Sequence, residues 1–313
     1  MKKVLKILGI ALLCVIVLVV SLLIWLANQP AVRSDYTQKV ETGGGLEGKY
    51  IQPGPHTVEV CEQPVPQGFG KYVLCYPTQL EDSQYPVVVY ANGSGIKASK
   101  YRAVLEHMAS WGFIAIGTEE EYDWNGFASE MCVRHLETLN QYKEMDEKPN
   151  QFYGKIDMEN VGIIGHSQGG VGVINAITEQ KHAGAYKAAV ALSPTNKELA
   201  AALEWEYDAL KIHTPILLLA GAGGGDDWVV TGEQLDDIYS DIDGSRAMAR
   251  RKDTPHGDML FAADGYATAW FMWLLQGDEE AGKAFSGKSP EIFLNNLYQD
   301  VKIEMKQRKE EKS

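Results

Sequence analysis

VGIIGHSQGG, at residues 161–170 of this 313-residue chain, is the segment from which the fold can best be predicted. Its apolar first half predicts a buried strand, and the apolar residues 171–177 that follow predict a helix. Between them, the pattern Gly-x-Ser-x-Gly predicts a sharp turn with Ser167 at its tip. Gly165 and Gly169 allow the close backbone approach that this turn needs, because glycine has no Cβ. The turn would place Ser167 at the N-terminus of the helix, where free N–H groups favour negative charge.

The rest of the chain alternates predicted strands with predicted helices. We expect strands at 57–61, 71–76, 86–91, 112–117, 188–192, 216–220 and about 246–250, and helices at 100–111, 129–142 and 262–276. This alternation predicts an α/β domain, over residues 49–301, with a mostly parallel central sheet and helices on both faces. Only about twenty residues lie between Ser193 and Thr214. Because a folded cap needs about 50 residues, no large cap domain is expected.

An acid and a histidine follow Ser167 at predicted strand ends, where functional groups of α/β sheets collect. Asp226 and Asp227 follow the strand at 216–220, and His256 follows the last predicted strand. The order Ser, Asp, His is the chain order of α/β-hydrolases. In this interpretation His256 takes the proton of Ser167, and one of the two aspartates orients the imidazole. The alternative is that one aspartate merely caps a helix.

Acyl transfer also needs two donors for the oxyanion of the tetrahedral intermediate. The backbone N–H of Gln168, directly after the serine, is the first candidate. The glycine-rich stretch 92–95 follows a predicted strand and could present the second, although it could also be a plain turn.

The chain resembles the α/β-hydrolases, closest to the cutinase-like and polyester-hydrolase-like branch, which merges into dienelactone-hydrolase-like proteins. The resemblance extends over about residues 55–285 and is carried by PVVVYANGSG, WGFIAIGTE, ENVGIIGHSQGG, ALSP, DDWVV and HGDM. It implies that Asp227 is the acid, with Asp226 as the alternative. It also implies that Ser94 supplies the second oxyanion donor through its backbone N–H. Trp228, beside the acid, is a candidate for substrate contact, with core packing as the alternative.

The N-terminus predicts a membrane anchor. Three lysines within residues 1–6 precede the uncharged apolar run 7–27, which is long enough to span a bilayer. The lysines would stay cytoplasmic, so the rest of the chain would lie outside. Residues 28–48 would form a polar linker and residues 302–313 a charged tail. A cleaved signal peptide, giving a secreted protein, is the alternative, although no good cleavage site follows the run.

Two cysteines are candidates for a disulfide. Cys61 and Cys75 lie on predicted strands and are symmetric about Gly68, so they would face each other in a hairpin. Outside the cell such a bond is plausible. Two buried thiols are the alternative. Cys132, in a predicted helix, is expected to be a core thiol.

Composition narrows the function. A net charge of −13 argues against a nucleic-acid partner, and no metal-binding or nucleotide-binding motif is visible, so no metal or cofactor is predicted. The sequence thus predicts a membrane-anchored, extracytoplasmic serine hydrolase that acts on small-molecule or polymeric carboxylic esters. The alternatives are an acyltransferase, peptidase or lactone hydrolase with the same triad, and a non-catalytic surface binding module.

Overall fold

A nine-stranded sheet forms the centre of the protein, with the strands in the order β1-β2-β4-β3-β7-β8-β9-β10-β11. The structure is a computed structural model that describes residues 13–22, 25, 28–65, 70–81, 83–145 and 147–306. Strands β4, β3, β7, β8, β9 and β10 run parallel, whereas β2 and β11 are antiparallel to their inner neighbours. The predicted mostly parallel sheet is therefore confirmed. The strands are β1 (Val58–Pro64), β2 (Lys71–Pro77), β3 (Tyr85–Ala91), β4 (Ile114–Thr118), β5 (Glu144–Met145), β6 (Lys148–Pro149), β7 (Ile156–His166), β8 (Tyr186–Leu192), β9 (Ile216–Ala222), β10 (Arg246–Lys252) and β11 (Tyr298–Glu304).

Helices cover both faces of this sheet, as predicted. They are α1 (Gly45–Tyr50), α2 (Arg102–Ser110), α3 (Phe127–Gln141), α4 (Gln168–Thr178), α5 (Lys197–Ala202), α6 (Gly232–Asp241), α7 (Met259–Ala262), α8 (Asp264–Gln276), α9 (Glu279–Gly282) and α10 (Glu291–Leu294). Helices α2 and α8 bury their apolar side chains against one face of the sheet, and α3, α4 and α6 bury theirs against the other. Between β8 and β9 the structure has only the six-residue α5 and one 3-10 turn, Ala209–Lys211.

Parallel strands end on one side of the sheet, and we call that side the carboxyl edge. The loops that leave β3, β7, β8, β9 and β10 all start there. They carry Ser94, Ser167, Ser193, Asp226 and His256 respectively. The fold thus brings to one edge residues as far apart in the sequence as Ser94 and His256, which are 162 positions apart.

The predicted disulfide between Cys61 and Cys75 is wrong, because both thiols are free. The antiparallel register of β1 and β2 pairs Cys61 with Leu74 and Cys75 with Val60. This register differs by one residue from a hairpin symmetric about Gly68. Because side chains alternate along a strand, the shift sends the two cysteines to opposite faces of the sheet. Cys132 is fully buried, as expected of a core thiol.

The terminal segments differ from the expected domain limits. Residues 28–48 do not form a free polar linker, since Val32, Tyr36 and Glu47 are buried against the domain. Strand β11 continues to Glu304, so the tail begins later than residue 302.

The membrane span predicted at residues 7–27 lies partly outside the described residues, and the stub at 1–6 lies wholly outside them. Within the described part of the chain, residues 13–22 are helical, and no helix there combines the length and the hydropathy needed to cross a bilayer.

Candidate active site

A strained turn joins β7 to α4 and carries Ser167. Its backbone angles are φ 61° and ψ −121°, a region that residues other than glycine rarely adopt. The neighbouring glycines make the turn possible. A Cβ on Gly169 would lie 2.2 Å from the carbonyl oxygen of Ala91, and one on Gly165 would lie 2.3 Å from the carbonyl oxygen of Gly169. Strain at this point is typical of functional turns.

Two backbone N–H groups next to the Ser167 turn are the predicted oxyanion donors. Within the described residues, the N–H groups of Gln168 and Ser94 make no hydrogen bond. Gly93, which precedes Ser94, lies against the turn, because a Cβ there would be 3.8 Å from the Cβ of Ser167. Asn92 fixes the start of this loop by donating to the carbonyl oxygens of Thr118 (2.8 Å) and Glu120 (2.6 Å). The predicted oxyanion donors therefore lie on the loop after β3 and at the first residue of α4, and these two segments meet beside Ser167.

Asp226 is the aspartate that faces the imidazole of His256. Its Oδ1 atom lies 2.5 Å from Nδ1 of His256. Its Oδ2 atom accepts from the N–H of Gly221 at 2.5 Å and from the hydroxyl of Ser193 at 3.0 Å. The Asp226 side chain has no solvent exposure. Two donors thus fix one carboxylate oxygen and leave the other for the histidine, which is the arrangement needed to orient an imidazole.

The assignment of Asp227 as the acid is therefore corrected. Its side chain is 52% exposed and forms an ion pair with Arg250, whose Nε also donates to the carbonyl oxygen of Gly221 at 3.1 Å. The two aspartates belong to one 3-10 turn, Asp226–Trp228. With three residues per turn, adjacent side chains point about 120° apart, so only one can reach His256.

His256 lies beside the residue that precedes Ser167. The rings of His166 and His256 are 4.4 Å apart, and Nε2 of His166 lies 2.8 Å from the carbonyl oxygen of His256. The His256 side chain is 25% exposed. Within the described residues, neither its Nε2 atom nor the Ser167 hydroxyl makes a hydrogen bond, and such bonds commonly tighten only when substrate is bound.

Trp228 lies at the surface beside the aspartate loop, and three further residues hold the loops of the site in place. Trp228 is 86% exposed, so the alternative that it packs in the core is wrong. Three residues that the sequence did not predict hold the site together: Ser193 bonds the acid, His166 the histidine loop and Arg250 the aspartate loop. Ser193 could have been suspected because it directly follows β8 at the carboxyl edge. Nothing in the sequence marks Arg250, which lies inside a strand.

A separate cavity of about 620 Å³ lies between β2, α3 and the segment 149–152. Tyr72 and His135 line it and stack on each other with ring centroids 4.1 Å apart. Burial lowers the pKa of His135 to about 4, so this ring is neutral at physiological pH. The cavity contains none of the predicted site residues.

Most of the candidate site lies in a part of the chain that matches a model of a known protein family. A family model described as PETase, PET hydrolase-like, matches residues 48–250, which is more than half of the chain. The matched region contains Ser94, Ser167 and Asp226 and ends before His256. A protein of Streptomyces coelicolor named bis(hydroxyethyl) terephthalate hydrolase is 27% identical over 158 residues. That alignment covers 50% of this chain and 45% of the relative, so the chain spans about half the length of the curated relative it matches.

Proposed function

The chain belongs to the PET hydrolase-like family of carboxylic ester hydrolases, and we propose that it acts as a serine hydrolase. From the lysines and the apolar run at its N-terminus we further propose that it is anchored in a membrane with its catalytic domain outside the cytoplasm. The family match confirms the resemblance to the polyester-hydrolase-like branch of the α/β-hydrolases. The observation that carries the specific mechanism is the contact between Asp226 and His256, at 2.5 Å, beside the strained turn of Ser167.

Ser167 is the nucleophile in this proposal. Its Oγ attacks the carbonyl carbon of the ester while His256 accepts the hydroxyl proton on Nε2. Nδ1 of His256 keeps its proton and donates a hydrogen bond to the Asp226 carboxylate, which stabilises the imidazolium that forms. The C–O bond to the alcohol then breaks, and His256 returns the proton to the leaving alcohol. A water molecule, activated by the same histidine, hydrolyses the acyl-enzyme and releases the carboxylic acid.

Ser94 and Gln168 stabilise the oxyanion through their backbone N–H groups. Neither N–H group has an acceptor within the described residues, so no existing hydrogen bond has to break before they bind the oxyanion. The start of helix α4 adds a partial positive charge at the same point. Loss of one such donor typically costs about 100-fold to 1,000-fold in turnover.

Membrane attachment rests on the sequence. Three lysines followed by the apolar run 7–27 support a single-pass anchor with the N-terminus in the cytoplasm. Secretion after signal cleavage is the competing possibility. Mass spectrometry of the purified native N-terminus distinguishes the two, because only the secreted form would lack residues 1–27.

A fluorophosphonate probe tests the mechanism in the full chain. Because the probe labels activated serines, we expect one labelled peptide, the one containing Ser167. Ser167→Ala should abolish labelling and lower ester turnover at least about 1,000-fold. The matched control is Ser240→Ala, at an exposed serine on α6, which should leave both unchanged. Labelling that persists in Ser167→Ala would reject this mechanism.

A panel of esters then tests the substrate class. It contains short-chain and long-chain p-nitrophenyl esters and bis(hydroxyethyl) terephthalate, the compound in the relative's name. The exposed ring of Trp228, which lies in the same 3-10 turn as Asp226, is a candidate contact for an aromatic acyl group. If it makes that contact, Trp228→Ala should raise KM for the terephthalate ester more than for an acetate ester.

A further inference from the structure

The segment that follows the apolar run packs along the carboxyl edge of the sheet. The N–H of Ala31 donates to the carbonyl oxygen of Lys100 at 2.7 Å, and Val32 is buried with 2% exposure. Lys100 lies in the turn Ala98–Tyr101, only six positions after Ser94. The first residues of the folded domain are thus attached next to the loop proposed to supply an oxyanion donor.

The same segment then passes the loop that carries His256. The ring of Tyr36 lies 5.8 Å from that of Phe261 in α7, and its hydroxyl donates to Asp264 at 2.5 Å. Lys39 and Val40 line a cavity of about 190 Å³ together with Pro255 and Asp258. Only later does the chain reach the opposite edge, where the indole of Trp111 donates to the carbonyl oxygen of Gln52. The segment 31–40 therefore borders two of the loops that form the site.

The connection from the apolar run to this segment is short. Three residues lie between position 27 and Ala31, and the four fully extended steps that join these two positions span at most about 14 Å. The folded domain has a radius of gyration of about 19 Å by the usual scaling with chain length. The tether is thus shorter than the domain radius and is attached at the carboxyl edge. With residues 7–27 in the bilayer, as proposed above, it would keep the carboxyl edge near the membrane.

Large apolar side chains are exposed at the carboxyl edge. Tyr122 (56% exposed) follows β4, and Trp228 (86%) follows β9. Leu294 (74%) precedes β11, whose antiparallel start lies beside the end of β10. Tryptophan and tyrosine are the side chains that concentrate at membrane–water interfaces. Their position agrees with the side on which the tether holds the domain.

We propose that the carboxyl edge faces the bilayer and that the enzyme hydrolyses esters of amphiphiles lying in the membrane interface. This inference rests on the proposed function, because it assigns a substrate class to the same Ser167 site. An amphiphile keeps its ester carbonyl at the level of the interface, where Ser167 would meet it without extracting the molecule into water. The products are a fatty or other apolar carboxylic acid and the free alcohol, with water as the second reactant.

The orientation can be measured with a fluorophore at either edge of the domain. The full chain carrying Cys14→Ser and Cys61→Ser is given one new cysteine, either Tyr122→Cys at the carboxyl edge or Leu210→Cys, which is 65% exposed and precedes β9 at the opposite edge. Each variant is labelled with bimane and placed in phosphatidylcholine vesicles containing brominated lipid. Quenching should be several-fold stronger at position 122 than at position 210. Equal or reversed quenching, or failure of the chain to float with the vesicles, would overturn the inference.

A longer tether tests the substrate class. Inserting twenty Gly and Ser residues between Pro30 and Ala31 adds a coil of about 25 Å root-mean-square length. Hydrolysis of a long-chain methylumbelliferyl ester embedded in the same vesicles should fall at least fivefold, whereas hydrolysis of methylumbelliferyl acetate in solution should not change. The control is the same insertion after Lys306. If the unmodified chain hydrolyses neither ester, the proposed function fails. If the unmodified chain hydrolyses the acetate, but the insertion does not lower hydrolysis of the embedded ester, only the present inference fails.

Discussion

The Nε2 atom of His166 lies 2.8 Å from the backbone carbonyl oxygen of His256, and this contact joins the turn that carries Ser167 to the loop that carries the imidazole. Because a carbonyl oxygen only accepts, Nε2 of His166 carries the proton. Burial, and then the neighbouring His256, lower the pKa of His166 to about 3. His166 is thus a neutral positioning residue at every pH at which the enzyme would work.

His166 should make the fold sensitive to acid. Its pKa is about 6.5 in an unfolded chain, so between pH 6.5 and 3 the unfolded state binds a proton that the folded state does not. The free energy of unfolding therefore falls as the pH drops through this window. His166→Gln keeps a hydrogen-bond donor but has no titrating group. Its free energy of unfolding, relative to that of the native chain, should therefore rise by about 2 kcal/mol when the pH is lowered from 7 to 5. Urea unfolding at the two pH values measures this, and a difference that does not change with pH contradicts it.

The two adjacent aspartates should behave differently in activity assays. Asp226→Asn would leave His256 without a carboxylate, so kcat should fall at least about 100-fold. Asp227→Asn, in contrast, removes one partner of Arg250, which keeps its hydrogen bond to the carbonyl oxygen of Gly221 and its ion pair with Asp300. Because His256 keeps Asp226 in this variant, kcat should stay within about threefold of the native value. Steady-state hydrolysis of a soluble ester compares them. The opposite ranking would restore Asp227 as the acid.

The glycine after the serine should not tolerate even one methyl group. In Gly169→Ala the new Cβ would lie 2.2 Å from a backbone oxygen that cannot move freely. We expect a loss of about 3 kcal/mol in the free energy of unfolding, at the upper end of overpacking effects. Gly184→Ala is the matched control, because a Cβ there meets nothing within 4 Å and should cost less than about 1 kcal/mol. Equal effects of the two substitutions would argue against a tight turn.

Glu47 should anchor the N-terminal segment. This carboxylate is buried and accepts from Arg251 (3.0 Å), Tyr298 (2.8 Å) and Asn295 (2.7 Å). Glu47→Ala leaves a buried guanidinium without its partner and should cost about 3–5 kcal/mol. Glu280→Ala breaks an exposed ion pair with Lys49 and should cost less than about 1 kcal/mol. Denaturant unfolding separates the two, and a small effect at Glu47 would mean that residues 28–48 are a loose linker after all.

The cysteines should titrate as free thiols. The full chain, unfolded in guanidinium without reductant, should react with four equivalents of Ellman's reagent, one for each cysteine. Reductant should not shift the melting temperature of the folded protein, because no covalent link closes the loop between Cys61 and Cys75. Two reactive thiols instead of four would restore the disulfide.

Sequence patterns were enough to predict the sheet, the turn at Ser167 and the candidate histidine. These features are local: apolar periodicity predicts strands and helices, and the glycines two positions before and after Ser167 allow a tight turn there. His256 could be identified because it follows the last parallel strand, and parallel strands deliver their loops to one edge.

Packing of the folded chain fixes three features that the sequence leaves open: which of Asp226 and Asp227 faces His256, the register of the strands that carry Cys61 and Cys75, and the path of residues 28–48. Each depends on a shift of one residue or on contacts with distant positions such as Arg250 and Arg251. A one-residue shift reverses the direction in which a side chain points on a strand and rotates it by about 120° in a 3-10 turn, while leaving composition and periodicity unchanged. Such differences have no sequence signal of their own and are fixed only when the chain packs.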